Sequence, residues 1–257
     1  MVHSLSISAD EMSDCWHDFR ARGPHVHCIT NSVAQNFTAN VLLAAGGVPS
    51  MTVAVEEQQD FVEMADALLI NLGTLDEERK VAINVAVKQA RVFGKPWVLD
   101  PVFVQASKLR AALALDLLSL HPSVMRCNMA EASALGAKSG VDDDPWIHRQ
   151  VRNGTVVAVS GHIDRVYSAS GSSRLSAGTP LMGQVTAIGC ALNAVLAGFC
   201  TGSFDRHIAV VTALSYFSLA GQFAAKAARG PGSFVPSFLD NLAAFDPSAF
   251  ECQELNS

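Results

Sequence analysis

The sequence predicts an α/β protein with a mostly parallel central sheet flanked by helices, and three observations predict it. Short apolar runs alternate with longer segments of helical periodicity, the pattern of βαβ units. Polar residues stand just after nearly every predicted strand, where open α/β sheets bind ligands. The composition is 49% apolar and 16% charged, which suits a chain with a large core and excludes disorder.

The predicted strands are His25–Ile29, Ser50–Val55, Ala67–Asn71, Trp97–Leu99, Val124–Cys127 and Thr155–Ser160. Arg165–Ser168 and Arg174–Ser176 read as a short polar hairpin with Ser170-Gly171 in its turn. The predicted helices are Val33–Ala45, Gln58–Ala65, Glu77–Phe93, Lys108–Leu120, Met129–Leu135, Gly189–Phe199, Arg206–Ala228 and Pro236–Ala244. No internal repeat, low-complexity tract or linker divides the 257 residues. A single domain follows, since α/β domains reach about 250 residues. Its core is expected over residues 20–245, with short flexible termini.

The net charge of −6 argues against a nucleic-acid partner, whose phosphates need a basic surface. Anionic nucleotides can still be held by helix N-termini and single arginines. The six cysteines form no C-x-x-C pair, and residues 1–20 hold four acidic residues and no apolar segment. Free thiols in a cytoplasmic protein are the expectation. Ile208 to Ala225 carries no formal charge over 18 residues but holds Thr212, Ser215, Tyr216, Ser218 and Gln222. It reads as a buried or subunit-interface helix rather than a membrane span.

The residues after the strands outline one site: Thr30-Asn31, Asn71 with Gly73-Thr74, Asp100-Pro101, Arg126 with Asn128 and Glu131, and Ser160-Gly161. Each alone also reads as a helix cap. The strongest local signal is Thr186-Ala187-Ile188-Gly189-Cys190-Ala191, entering a helix of small and apolar residues. A glycine there lets backbone N–H groups approach a phosphate, and the helix dipole favours its charge. The same dipole is expected to bring the Cys190 thiol below its free pKa of about 8.5, unless the residue is a buried structural cysteine. Asn128 and Glu131 are spaced to reach a common metal-bound water, or else to cap their own helix. Arg126 can neutralise nucleotide phosphates. Arg229-Gly230-Pro231-Gly232-Ser233-Phe234 reads as a fixed turn that lies against a ligand or ends a helix. His25 and His27 share one face of a strand and read as core packing.

These residues carry a family resemblance. His27-Cys28-Ile29-Thr30-Asn31, Asn36-Phe37-Thr38-Ala39-Asn40, Leu42-Leu43-Ala44 and Met51 resemble the amino-terminal signature of hydroxyethylthiazole kinases. So do Leu69–Leu75, Trp97–Val102, the Arg126-x-Asn128-x-x-Glu131 run and Gly230-Pro231-Gly232-Ser233-Phe234, in the same order. The resemblance implies a ribokinase-like fold and a role in thiamin salvage. It implies ATP- and magnesium-dependent phosphorylation of the hydroxyethyl group of 4-methyl-5-(2-hydroxyethyl)thiazole, in homotrimers with sites between subunits. By motif, Cys190 takes the catalytic position, and Ala187, Ile188 and Gly189 form the anion hole. Met51, Asn31, Val33, Ala187 and Gly189 meet the thiazole. Arg126, Ser160 and Asn128 meet ATP, while Asn128, Glu131 and Asp100 serve Mg2+, partly through water. Another small-alcohol kinase or an ATP-dependent hydrate dehydratase on the same fold is an alternative. A ligand-binding pseudokinase is another, because Ala187-Ile188 replace the family's Gly-Thr. The 136–154 stretch is expected to be shorter than in relatives.

Overall fold

The alternating pattern folds into alternating strands and helices around one twisted sheet. The computed structural model describes residues 3–137, 144–176, 178–252 and 255–256. Helix α1 (Ala9–Arg22) leads into β1 (His25–Ile29), α2 (Gln35–Ala45), β2 (Val48–Ser50), α3 (Gln58–Met64) and β3 (Ala67–Asn71). Then come α4 (Glu77–Val92), β4 (Trp97–Asp100), α5 (Lys108–Leu118), β5 (Val124–Asn128), α6 (Met129–Leu135), α7 (Pro145–Arg152) and β6 (Val156–Ser160). A hairpin of β7 (Asp164–Ser168) and β8 (Gly171–Leu175) precedes α8 (Ile188–Phe199), α9 (Arg206–Ala227), α10 (Pro231–Ala243) and β9 (Leu255–Asn256).

The strand order among the described residues is β2-β1-β3-β4-β5-β6-β7-β8-β9. Strands β2 through β6 pair in parallel, and β6 through β9 pair antiparallel. The chain runs from β1 outward to β2 and then back past β1 to β3. The crevice beyond the ends of β1 and β3 is therefore the topological switch point, where such sheets place ligands. Parallel strands buried on both faces read as continuous apolar runs, as Ala67–Asn71 and Val156–Ser160 do. One face packs against α1, α2, α8, α9 and α10 through Phe19, Leu42, Val195, Phe217 and Phe238. The other packs against α3 to α7 through Val62, Val87, Leu117, Leu135 and Ile147.

Helix α9 has the length and apolarity to cross a membrane, yet 78% of its apolar window is buried inside the fold. It is a core helix here, as its Thr and Ser content anticipates. His27 is also a core residue: Ser50 Oγ lies 2.9 Å from Nδ1 and Gln58 Oε1 3.1 Å from Nε2. Burial lowers its pKa to about 4, so the ring is neutral near pH 7.

The structure corrects several expected elements. Strand β2 is Val48–Ser50, not Ser50–Val55. Gln58 Nε2 donates to the Ala54 carbonyl at 2.9 Å and the Thr52 carbonyl at 3.4 Å, supplying partners a longer ladder would have given. Pro49 is tolerated because β2 is an edge strand. The hairpin turn is Ala169-Ser170, and Gly171 opens β8. A Cβ at Gly171 would stand 2.8 Å from the His3 carbonyl oxygen, so this glycine admits the amino-terminal segment beside the hairpin. Helix α10 starts at Pro231, where a missing N–H is harmless, and Pro236 lies inside it. The Gly230-Pro231-Gly232 run thus opens a helix; it is not a free turn. Helices α1 and α7 were not anticipated. Their signals are local: the Ser8 and Glu11 capping box with Met12, Cys15, Trp16 and Phe19 on one face, and Asp144 capping with Pro145 at the first position. Of the 136–154 stretch, residues 138–143 lie outside the described residues.

Candidate active site

A cavity of about 940 Å³ opens beyond the carboxyl ends of β4, β5 and β6 and at the start of α8. Asp100, Arg126, Asn128, Glu131, Ser160, Ala187, Ile188, Gly189 and Cys190 all line it. Residues far apart in sequence meet because each stands where a parallel strand ends or a helix begins. Three other predicted residues do not line it. Asn31 is buried behind it, with Nδ2 donating to Cys190 Sγ at 3.4 Å. Met51 is half-buried against the core, and Val33 is 62% exposed. Residues 229–234, the expected ligand-facing turn, lie outside the lining too.

Helix α8 begins in an unusual way. Ala187 is its N-cap at φ 68° and ψ 2°, with no side-chain cap bond. A Cβ in this left-handed region costs about 1–2 kcal/mol, so the surrounding packing imposes the conformation. The first turn of α8 lines the cavity, and the first-turn N–H groups of a helix have no intrahelical partner. Ala187→Gly is expected to stabilise the protein by about 0.5–1 kcal/mol, the strain relieved less the added freedom of the unfolded chain. Thermal unfolding should show a rise of about 1–4 °C; no rise would mean the alanine is unstrained.

The Cys190 thiol departs from expectation. Burial pushes its pKa up to about 11, and the neighbouring Asp100 charge pushes the same way. Hydrogen bonds from Asn71 and Asn31 and the charge of Arg126 oppose this without overcoming it. Desolvation is the largest of these influences, and the thiol stays protonated near neutral pH.

Asp100, at the end of β4, is 5% exposed. Burial raises its pKa to about 7; Arg126, Asn193 and Asn71 pull it down, and Glu131 adds to the rise. Asn71 Nδ2 donates to Asp100 Oδ2 at 2.5 Å. Asn128 and Glu131 form a capping box at the start of α6. Asn128 Oδ1 accepts from the Glu131 N–H at 2.9 Å, and Glu131 Oε2 accepts from the Asn128 N–H at 2.9 Å. Glu131 Oε1 accepts from the Phe103 N–H at 3.0 Å. The cap reading of this motif is therefore realised, and it leaves Glu131 aimed at the cavity with lone pairs to spare. Ser160 Oγ donates to the Cys127 carbonyl at 3.3 Å.

Arg126 is the one Lys or Arg among the described lining residues, against Asp100, Glu131 and Asp164. Its NH1 group donates to the Gly189 carbonyl at 3.4 Å, tying β5 to α8. Its buried Nε has no protein partner among the described residues. Asp164 carried no signal in the sequence because it stands just before the predicted hairpin strand Arg165–Ser168; the structure makes it the first residue of β7. Burial raises its pKa, opposed by Arg126 and by the Gly161 N–H at 2.9 Å. Thr179 and Gln222 also line the cavity. The signal for Gln222 was a lone amide in an apolar helix.

Comparison with known proteins agrees with this architecture. Residues 16–248 match the model of the hydroxyethylthiazole kinase family. A hydroxyethylthiazole kinase of Klebsiella pneumoniae (strain 342) is 44% identical over 238 residues, covering 88% of this chain and 92% of that one. One from Rhizobium etli (strain CIAT 652) is 43% identical over 247 residues, covering 91% and 96%. The solved hydroxyethylthiazole kinase of Pyrococcus horikoshii OT3 superposes with a TM-score of 0.88 at 33% identity, covering 96% and 98%. A Staphylococcus aureus pyridoxal kinase shares the fold alone, at a TM-score of 0.60 and 14% identity over 77% of this chain and 88% of that one. With a ribokinase-like sheet, a cavity at its strand ends, and a family match over residues 16–248, the chain belongs to the hydroxyethylthiazole kinase family.

Proposed function

We propose that this chain transfers the γ-phosphoryl group of ATP to the hydroxyethyl group of 4-methyl-5-(2-hydroxyethyl)thiazole in thiamin salvage. The observation that carries the reading is the convergence of Arg126, the α8 N-terminus with Cys190, and the Asp100–Glu131 carboxylates on one cavity. Transfer of this kind depends mainly on positioning and charge stabilisation. The alcohol oxygen attacks the γ-phosphorus, the bond to ADP breaks in line, and the alcohol proton leaves through a phosphoryl oxygen to solvent. N–H groups of Ile188, Gly189 and Cys190 face the moving phosphoryl group. Arg126 offsets its charge, with Ser160 and Asn128 beside the nucleotide. The protonated Cys190 thiol orients the alcohol; with its pKa near 11 it is not a competent base at neutral pH.

Magnesium fits the donor set. Asp100, Glu131 and Asn128 offer oxygen only, and neither carboxylate is ion-paired among the described residues. Such sites suit Mg2+, which keeps several waters and takes one or two carboxylates. When bound, the ion supplies charge neutralisation on the phosphates.

We also propose one kinase domain spanning the chain, acting in the cytoplasm as a homotrimer with sites between subunits, without nucleic acid or membrane partners. Supporting the trimer, apolar side chains are exposed at Val48 (50%) on the edge strand β2, at Leu43 (56%) in the preceding helix α2, and at Val33 (62%), an assigned substrate residue. Sedimentation should give three times the 27.2 kDa chain mass.

The family match favours the thiazole kinase over the other enzymes of this fold and over a pseudokinase. The deciding experiment is ATP turnover with hydroxyethylthiazole and magnesium, wild type beside Cys190→Ala. The expected result is turnover by the wild type and a loss of about tenfold in kcat for the variant, the cost of a lost orienting contact. Equal rates would remove Cys190 from the mechanism, and no wild-type turnover would sink the activity itself.

A further inference from the structure

The switch-point crevice holds a hydrogen-bonded chain that links three assigned residues, Asp100, Asn31 and Cys190, through Asn71, which has no assigned role. Asn71, at the end of β3, is fully buried, and both ends of its carboxamide are engaged. Its Nδ2 donates to Asp100 Oδ2 at 2.5 Å. Its Oδ1 accepts from Asn31 Nδ2 at 3.0 Å and from the Gly73 N–H at 2.9 Å. Asn31, at the end of β1, in turn donates to Cys190 Sγ at 3.4 Å, and its Oδ1 accepts from the Ala34 N–H at 3.0 Å. A carboxamide has one acceptor end and one donor end, so these partners leave each side chain a single orientation. Gly73 closes the arrangement from behind. Its φ is ordinary, but a Cβ there would stand 2.7 Å from Asn31 Cβ, a separation that forces a shift.

The geometry points to Asn71 as a positioning residue: with Asn31 it forms a rigid relay that sets Asp100 and Cys190 at a fixed separation. The inference rests on the kinase reading above, which puts the magnesium-facing carboxylate at one end of the relay and the alcohol-orienting thiol at the other. The relay spans adjacent parallel strands β1 and β3 and reaches β4 on one side and α8 on the other. Side chains mounted at or next to the ends of paired strands are held more precisely than those on loops. A misplacement near 1 Å between reacting groups can cost about a hundredfold in rate. Buried networks that are fully satisfied are the ones that hold side chains to that tolerance.

Two variants test the relay from opposite ends. Asn71→Asp keeps the shape and the acceptor for Asn31 but replaces the neutral amide donor to Asp100 with a second acidic group. Gly73→Ala keeps the identity of all four relay residues but displaces Asn31. Each is measured for kcat and KM toward ATP and hydroxyethylthiazole. Each is also measured, without substrates or metal, for the rate of Cys190 alkylation by iodoacetamide at pH 8, followed on the Cys190 peptide by mass spectrometry. Expected is a fall in kcat of about ten- to a hundredfold with KM for ATP within about twofold, the pattern of a lost transition-state arrangement. Alkylation should slow by about threefold or more in both, because the thiolate loses its Asn31 donor in one and gains a negative neighbour in the other. Wild-type alkylation rates in both variants, or unchanged kcat in both, would overturn the relay. So would a parallel loss of kcat and nucleotide affinity with unchanged alkylation, the sign of a general structural role. If the wild type does not phosphorylate the thiazole, the alkylation rates still decide whether the relay positions Cys190. Should Asn71→Asp not fold, Gly73→Ala alone decides by the same two readouts.

Discussion

Replacing Arg126 with glutamine is expected to weaken ATP binding by about a hundredfold, or ~3 kcal/mol, the worth of charge-assisted bonds to phosphate. Arg126 is the one Lys or Arg among the described lining residues, and it faces Asp100, Glu131 and Asp164. Its removal therefore takes away an attraction and exposes the nucleotide to a net negative wall. Arg126→Lys should recover little, since an ammonium does not reproduce the planar fork that can hold both the Gly189 carbonyl and a phosphate. Titration calorimetry with ATP and magnesium measures the effect directly. An unchanged Kd would show that the nucleotide lies elsewhere. The same loss of charge should raise the proton affinities of Asp100 and Asp164, both of which Arg126 holds down.

Replacing Asp100 with asparagine has the second large effect, and it acts in two directions. Burial raises the folded pKa of Asp100 to about 7, far above the usual carboxylate value. A group with a raised folded pKa contributes stability that is present below its unfolded pKa and lost as pH rises through the folded one. Without metal or nucleotide, the wild type should therefore lose a few kcal/mol from this residue between about pH 4 and pH 7. Asp100→Asn lacks that loss, so its stability relative to the wild type should grow over this window and level off above it. Urea unfolding at pH 4.5 and pH 8 checks the sign; an equal difference at the two pH values would refute the raised pKa. Activity should go the other way. On the proposed kinase reading the variant gives up a charged magnesium donor, and kcat/KM should fall by about a hundredfold or more, a loss of ~3 kcal/mol. In the wild type, protonation of Asp100 competes with the metal, so the magnesium needed for half-activation should rise as pH drops below 7. The two effects together describe a residue kept for chemistry at a cost in stability.

The family match and the geometry of the cavity rest on different physics, and the difference explains what could be read from residues alone. The apolar runs of the parallel strands were legible because burial on both faces leaves no room for polar positions, as in Ala67–Asn71. The ends of those strands were legible because the polar residues that follow them interrupt the runs. Helix α1 carries a local signal in the Ser8 and Glu11 capping box, while its four acidic residues mask the apolar periodicity of its buried face. The start of α10 was misread because Pro236 looked like a beginning, although Pro231 already satisfies the first helical position.

By itself, then, the sequence determined the strand–helix alternation, the α/β class, the family, and ten of the residues that line the cavity, Gly161 among them. These follow from local periodicity and from what strand ends and helix starts demand. Only the tertiary structure decided the rest. It decided that Cys190 sits among buried groups that raise its pKa to about 11, where the local helix argument gave the opposite direction. It decided that Glu131 caps its own helix while still lining the cavity, and that Asp164 and Gln222 belong to the same wall. It showed that Asn71, 40 residues from Asn31 and 29 from Asp100, joins them in one chain of bonds. The reason is common to all of these. Desolvation and Coulomb energies depend on distances between residues remote in sequence, and those distances exist only once the sheet has closed the chain on itself.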